Sequence, residues 1–277
     1  MTRTPKARAL GTELRRAREE RKVTTRDLAE RIGRNHGEIS RWETGERTPK
    51  PEHVAQVLTA LGIVGQPFDE IMSLAHDTTA PQWVAASLPA QRQQLATLIE
   101  LERTATMITD VVPSLIPGLL QTWDYAHAIM SVSNLPPDDV TTRVTLRMGR
   151  RGSIAEPDSA RYTAFIGQAA IYQGICDRPL MRAQLAYLLN MAGRPNITAR
   201  VMPFASSWHP GLDAPFAYME MANQTPIVHL ELRRSSIFLH EEDVVAAYQE
   251  ALDLIDKIAL TPEASARLIT DRMESLS

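Results

Sequence analysis

The residues best equipped for chemistry lie in the run Gly33-Arg34-Asn35-His36-Gly37-Glu38-Ile39-Ser40-Arg41-Trp42-Glu43-Thr44-Gly45. The chemistry they suggest is recognition by hydrogen bonding, not bond making. His36, Glu38, Ser40 and Arg41 place an imidazole, a carboxylate, a hydroxyl and a guanidinium on the outward side of a short helix. Ile39 and Trp42, three apart, turn inward together, and Trp42 reads as core. Such a helix suits a DNA major groove, where Arg bonds guanine bidentately. A phosphate contact, or pairing with a neighbouring Glu, is the bland alternative for Arg41. His36 fits solvent or a phosphate as well as a base. The charge of Glu38 opposes phosphate, so it reads as a residue that rejects some bases or orients a neighbour. Arg26, Arg34, Arg47 and Lys50 are candidates for phosphate contact, with a solvated basic face as the alternative.

Several elements must hold that helix. Gly33 closes the preceding helix in left-handed angles, and Asn35 caps the next one. Thr24, with Asp27 three residues on, forms a capping box ahead of Leu28, Ala29 and Ile32. Leu10, Leu14 and Ala17 repeat at helical spacing in a first helix with a basic outer face. Pro49 and Pro51 bracket the start of a fourth helix, whose stripe is Val54, Val57, Leu58 and Leu61, ending at Gly62. Phe68, Ile71, Met72 and Leu74 supply a fifth. Five short helices with a tight turn between the second and third describe an all-α helix-turn-helix domain over residues 1–76.

The chain of 277 residues, with 44% hydrophobic and 23% charged, can bury a sizeable core and is expected to form two domains. Its net charge of −3 hides an asymmetry. Residues 1–65 carry 14 Lys/Arg against 9 Asp/Glu, a net of +5, and the remainder 16 against 24, a net of −8. A basic end on an acidic body implies a polyanionic partner for the first part alone. The single Cys176 cannot form an internal disulfide and reads as a small buried hydrophobe in a reducing compartment. Met1-Thr2-Arg3-Thr4-Pro5-Lys6 leads into no apolar core, so no secretory signal is expected. Nor is there an apolar run of membrane-spanning length. A cytoplasmic, nucleoid-associated protein is expected.

Leu10-Gly11, Leu14-Arg15, Thr24-Thr25-Arg26-Asp27-Leu28-Ala29, Gly33, Ile39-Ser40-Arg41, Glu43-x-Gly45 and Pro49 together resemble the Xre (lambda-repressor-like) DNA-binding domains over about residues 8–75. The resemblance implies that the second helix abuts a phosphate through its N-terminus while the third enters the major groove. It places His36, Gly37, Ser40 and Arg41 towards base edges and Thr44 near the backbone. Thr25, Arg26, Arg34, Asn35, Thr44, Arg47 and Lys50 make up the expected phosphate-contact set. Thr25 stands where many members carry Gln, which shortens that reach to a hydroxyl. Gly37 offers no side chain, so readout leans on His36 and Arg41.

Asp77-Thr78-Thr79-Ala80-Pro81 breaks the helical pattern, and residues 77–87 read as a linker to a second domain at 88–277. There, a helix from Leu88-Pro89 carries Leu95, Leu98, Ile99 and Leu101, and a strand runs from Met107 to Val112. Helices follow over Trp123 to Met130 and from Pro136-Pro137-Asp138 through Val140, Val144 and Met148, with Arg143, Arg147, Arg150 and Arg151. Tyr162–Ile166 is strand-like, and Met181, Leu185, Leu188 and Leu189 mark another helix. Ile197–Met202, Phe216–Met221 and Ile227–Leu232 alternate as half-buried strands, the last two joined hairpin-fashion through Asn223-Gln224-Thr225-Pro226. Two helices close the chain. The mixture argues an α+β domain around a small mixed or antiparallel sheet.

Pro117-Gly118-Leu119-Leu120-Gln121-Thr122, Tyr125-Ala126, Gln184-Leu185, Arg194-Pro195-Asn196-Ile197, Met202-Pro203-Phe204, His209-Pro210-Gly211 and Pro215-Phe216 resemble, in order, the C-terminal domain of unknown function of actinobacterial WhiJ-like regulators. That resemblance implies a small partner protein encoded beside the chain, in a toxin–antitoxin-like arrangement. Its members usually carry Glu where this chain has Gln168.

No catalytic role, cofactor or metal is expected. His229 and His240 have no metal-ligand spacing, the acids after His240 suit a helix start, and neither a Gly-x-Ser-x-Gly elbow nor a phosphate-cradling glycine loop occurs. Trp123, Tyr125, Gln168, Tyr172, Trp208, His209 and Phe216 are candidates for a ligand or partner pocket, with simple core filling as the alternative. The expected function is a homodimeric regulator binding a double-stranded DNA operator through its third helix, its second domain receiving a small-molecule effector or partner protein. The alternative is an antitoxin-like interaction module whose DNA binding serves autoregulation.

Overall fold

A computed structural model describes residues 4–76, 78, 82–84, 88–132, 136–155, 159–232 and 235–276, with backbone alone for 82–84 and 88–92. The start of the N-terminal hexapeptide and most of the 77–87 stretch lie outside the described residues. Two compact units form: residues 1–100 with 232–241, and residues 101–231 with 242–277.

In the first unit, α1 (Pro5–Glu20) starts at Pro5, whose missing amide is no loss there, behind Thr4, which accepts from the Ala7 amide at 3.1 Å. Its stripe of Leu10, Leu14 and Ala17 is buried, and Arg15 and Arg16 form the exposed basic face. Arg18 departs from that face and turns inward. The helix α2 (Thr25–Arg31) begins with the Thr24–Asp27 capping box read from the sequence. Hydrogen bonds from Thr24 hold the Asp27 carboxyl below its ordinary range. Next come α3 (His36–Glu43), α4 (Pro51–Ala60) and α5 (Gln66–Ala75), in agreement with five short helices. Leu10, Leu28, Ile39, Trp42, Leu58 and Leu74 lie at its centre.

The stretch read as a linker carries β1 (Gln82–Val84), which pairs antiparallel with β7 (Ser236–Leu239), a strand the sequence did not announce. Between them in sequence runs α6 (Leu88–Thr104). Its Gln94 accepts from the amide and hydroxyl of Ser236 at 3.1 and 2.9 Å and donates to the Ser236 carbonyl at 2.9 Å.

Among the described residues, the second unit is built on five strands in the order β6-β5-β2-β3-β4. These are β2 (Ala105–Val112), β3 (Arg161–Gly167), β4 (Ile197–Met202), β5 (Phe216–Met221) and β6 (Gln224–Glu231). β2, β3 and β4 are parallel, β5 pairs antiparallel with β2, and β6 pairs antiparallel with β5. Parallel neighbours need long crossovers. One carries α7 (Trp123–Ser131), α8 (Pro137–Gly149) and α9 (Gly152–Ala155); the next carries α10 (Gln168–Tyr172) and α11 (Arg178–Ala192). The closing helices are α12 (Glu242–Ile258) and α13 (Pro262–Glu274). A mixed sheet with helices is the α+β class expected from the sequence. Among the described residues no helix is long and apolar enough to cross a membrane.

Two local expectations need correction. The β5–β6 turn is Ala222-Asn223, not Asn223–Pro226, because Asn223 takes φ +57° and pairing resumes at Gln224. Pro226 sits instead at a register irregularity, where a missing donor does little harm. Cys176 is half-buried, not core, with burial pushing its thiol up. Edge strand β4 is protected: the Ser265 hydroxyl accepts from the Val201 amide at 2.9 Å, and the Leu260 amide donates to the Val201 carbonyl at 2.8 Å.

Candidate nucleic-acid interface

The α2–turn–α3 segment is assembled by local rules. Gly33 takes φ +65°, and the amides of Gly33 and Arg34 bond back to Glu30 and Ala29, ending α2 as a Schellman-type turn does. Asn35 Oδ1 then accepts from the Gly37 amide at 2.8 Å and starts α3. Ile39 and Trp42 are each 2% exposed. With those two anchored, helical phase turns His36, Ser40 and Arg41 to solvent, and all three are exposed. Gly37 is half-buried, and a Cβ there would lie 3.7 Å from Arg41 Nη1. That is an ordinary contact; the tighter neighbour is the capping Asn35 Oδ1, 3.3 Å from the same position.

Of the expected phosphate-contact set, Arg26, Asn35, Thr44, Arg47 and Lys50 are exposed, while Thr25 and Arg34 are half-buried. Arg34 is engaged within the domain. Its Nη2 lies 2.6 Å from His53 Nε2, whose ring stacks on Trp42 at 5.5 Å between centroids. Glu38, expected on the outward side, is instead half-buried on the flank of α3, where two guanidinium groups draw it in, Arg34 at 3.8 Å and Arg47 at 3.6 Å.

The position of α3 depends on a buried ion pair that the sequence reading did not single out. Arg18 of α1 donates to Glu43 at 2.6 and 2.7 Å and to the Val23 carbonyl at 2.9 Å. The hydrogen bond to Glu43 raises the Arg18 pKa against the cost of burial. Close helix approach accompanies the pair. A Cβ on Gly11 would sit 2.6 Å from the Trp42 carbonyl oxygen, so only glycine lets α1 cross the end of α3 here.

The second unit's seven candidate pocket residues divide. Tyr125 is fully buried, accepting from the Ile116 amide at 3.4 Å, and burial pushes its phenol up to about 12. Phe216 is also core, edge-on to Tyr248 at 4.9 Å. Trp123 is partly exposed and stacks on His127 at 4.8 Å. Gln168 and Tyr172 do come together, around Phe204: Gln168 Oε1 accepts from the Phe204 amide at 2.9 Å, and the two rings lie 6.2 Å apart. Trp208 is 70% exposed, whereas neighbouring His209 is buried, its Nδ1 without a hydrogen-bond partner among the described residues.

A larger polar cluster lies elsewhere in that unit, on residues the sequence reading gave no role. Glu102 accepts two hydrogen bonds from Arg150, one at 2.9 Å. Arg147 reaches Gln121 at 3.1 Å and Glu231 at 3.4 Å. Tyr162 donates to Asp110 at 2.6 Å. Burial pushes the Asp110 carboxyl up to about 6 and the His229 imidazole down to about 4.

These two shifts act in opposite directions on stability. Asp110 holds its proton more tightly when folded, so its contribution is complete below the ordinary carboxylate range and is lost as pH rises through 6. His229 resists protonation when folded, so its contribution is complete above 6.5 and is lost as pH falls towards 4. Asp110→Asn removes the compensating half. It is expected to lose on the order of 2 kcal/mol more than the parent between pH 6.5 and 4.5, measured by urea denaturation of the full chain. Parallel pH profiles for the two proteins would sink this assignment.

Taken together, α2, its glycine turn and α3 define a helix-turn-helix protein, the class of DNA-binding regulators, and residues 9–71 match the family of that description, the helix-turn-helix domain. Residues 95–271 match the family described as a domain of unknown function (DUF5753), and the chain belongs to it. No curated protein matches the chain. It is distantly similar to a solved structure described as "Structure of TrmBL2, an archaeal chromatin protein, shows a novel mode of DNA binding", with 14% identity and a TM-score of 0.32. That similarity covers 76% of this chain and 66% of the other, so the chain spans just under two thirds of its length.

Proposed function

We propose that this protein is a sequence-specific transcription regulator that binds its operator as a homodimer, one α3 in the major groove of each half-site. The observation that carries the reading is the outward face of α3. His36, Ser40 and Arg41 are exposed, while Ile39 and Trp42 lock the helix to its domain. The net positive charge of the first 65 residues, on a chain otherwise acidic, supports a polyanionic partner. Two copies are invoked because one small domain covers too little DNA for tight specific binding, and half-sites about 34 Å apart combine two. No catalytic step is assigned to the second unit, which is read as the dimerising and signal-receiving part.

Arg41→Ala tests the assignment. Mobility shifts are run against the chain's own upstream DNA and against versions with each guanine replaced. A bidentate guanine contact predicts a loss of about 1–3 kcal/mol, confined to one position of each half-site. A uniform loss across all sequences would make Arg41 a phosphate contact instead.

The exposed apolar side chains Phe204, Trp208 and Leu212 favour a second reading, in which this unit binds a small partner protein and DNA binding serves autoregulation. Retention by the full chain of a small protein encoded beside it, lost in Trp208→Ser, would support that reading.

A further inference from the structure

The flank of α3 carries an ionic bracket that belongs neither to its buried stripe nor to its outward face. Glu38 projects from the first turn with its side chain 17% exposed. One carboxylate oxygen faces Arg34 at 3.8 Å and the other faces Arg47 at 3.6 Å. Both separations exceed a direct hydrogen bond. The attraction is therefore Coulombic, and a phosphate can displace it. Arg34 has a second hold at His53 Nε2, 2.6 Å away. A guanidinium only donates, so that ring nitrogen accepts, and the ring is fixed by its stack on Trp42. Arg47 is the looser arm, 60% exposed.

Resting on the reading of this unit as DNA-binding, we propose that Glu38 is a specificity-determining residue, an internal counter-anion that pre-orders Arg34 and Arg47 and suppresses non-specific binding. Two effects separate the two kinds of complex. Non-specific binding comes from phosphate neutralisation, with release of bound counterions. There, the Glu38 charge is purely unfavourable, because it repels phosphate and shields two arginines. In the specific complex the phosphates are fixed in register by the base contacts of α3, so arginines already held in place lose less freedom on binding. Glu38 thus weakens the first complex more than the second.

The test uses full-length parent and Glu38→Gln, with fluorescence anisotropy over a salt series. The probes are a random-sequence duplex and the tightest duplex selected by the parent from a random library. E38Q should bind the random duplex about threefold to tenfold more tightly near 100 mM salt, with a log–log salt slope steeper by about one. The selected duplex should gain less, so the preference for it should shrink by up to the same factor. Arg47→Gln should flatten the parent's slope by about one and reduce the effect of adding E38Q. Should E38Q fold poorly, Glu38→Asp keeps the charge on a shorter arm. It should retain the parent's slope and random-duplex affinity while losing affinity for the selected duplex. An unchanged slope in E38Q, or equal shifts on both probes, overturns this role while leaving the DNA-binding reading standing. A parent chain that prefers no selected duplex over random DNA overturns both.

Discussion

Replacing Glu43 with Gln is expected to destabilise the helix-turn-helix unit by about 3–5 kcal/mol, a large part of the 5–15 kcal/mol that holds a typical domain together. The Arg18 and Glu43 side chains are 11% and 6% exposed. Removing the carboxylate leaves a guanidinium with little access to water and only the Val23 carbonyl and distant Glu19 to face. Glu43 also lies in the last turn of α3, where the helix dipole disfavours an acid. It is therefore tolerated there because Arg18 is present. Chemical denaturation followed by Trp42 fluorescence would measure the loss, and a midpoint matching the parent would refute the role given to the pair. Arg18→Met with Glu43→Leu removes both charges and should recover most of the lost stability, since an apolar pair of similar volume replaces a buried ion pair at little cost.

An effect of similar size, about 3–5 kcal/mol, is expected in the second unit for Glu102→Gln. Burial works against the charge of Arg150, and the Glu102 carboxylate more than offsets it, raising the Arg150 pKa. Glu102 is 4% exposed and Arg150 12%, so neither has water as a substitute partner. The substitution should also lower the Asp110 pKa, which burial raises first and the Glu102 charge raises further. Calorimetric melting of the full chain reports the stability, and carboxyl-carbon NMR titration reports Asp110. A melt unchanged from the parent, or an Asp110 titration still centred near 6, would count against the coupling.

The parts of the fold that could be read from the chain are those fixed within a few residues. The Thr24–Asp27 capping box, the Asn35 cap, the Gly33 stop and the boundaries of β4 and β5 depend on neighbours at most four positions away. Strands β1 and β7 escaped notice because each is short and its partner is remote in sequence. Asn223 and Pro226 misled by composition, since only Asn223 adopts turn angles. For the buried charges a faint signal existed. Arg18 falls four residues after Leu14, and Glu102 four after Leu98, in phase with their apolar stripes. Their charge argued for surface, and one sequence does not name the opposing residue. The outward face of α3 was legible for the converse reason, because Ile39 and Trp42 fix its phase. The pocket was not, since aromatic residues near loops carry no mark separating Tyr125 in the core from Trp208 in solvent.

The pairing of β1 with β7 has a consequence for synthesis. A ribosome releases α1 to α5 early, and they have the local contacts needed to fold at once. The ribbon cannot close until residues 236–239 have emerged, after the whole 101–231 segment has been made. Until then Gln82–Val84 is an unpaired edge, open to another chain. A fragment meant to isolate the DNA-binding helices should therefore end near residue 76, ahead of that edge. One ending at residue 100 would carry a strand without its partner.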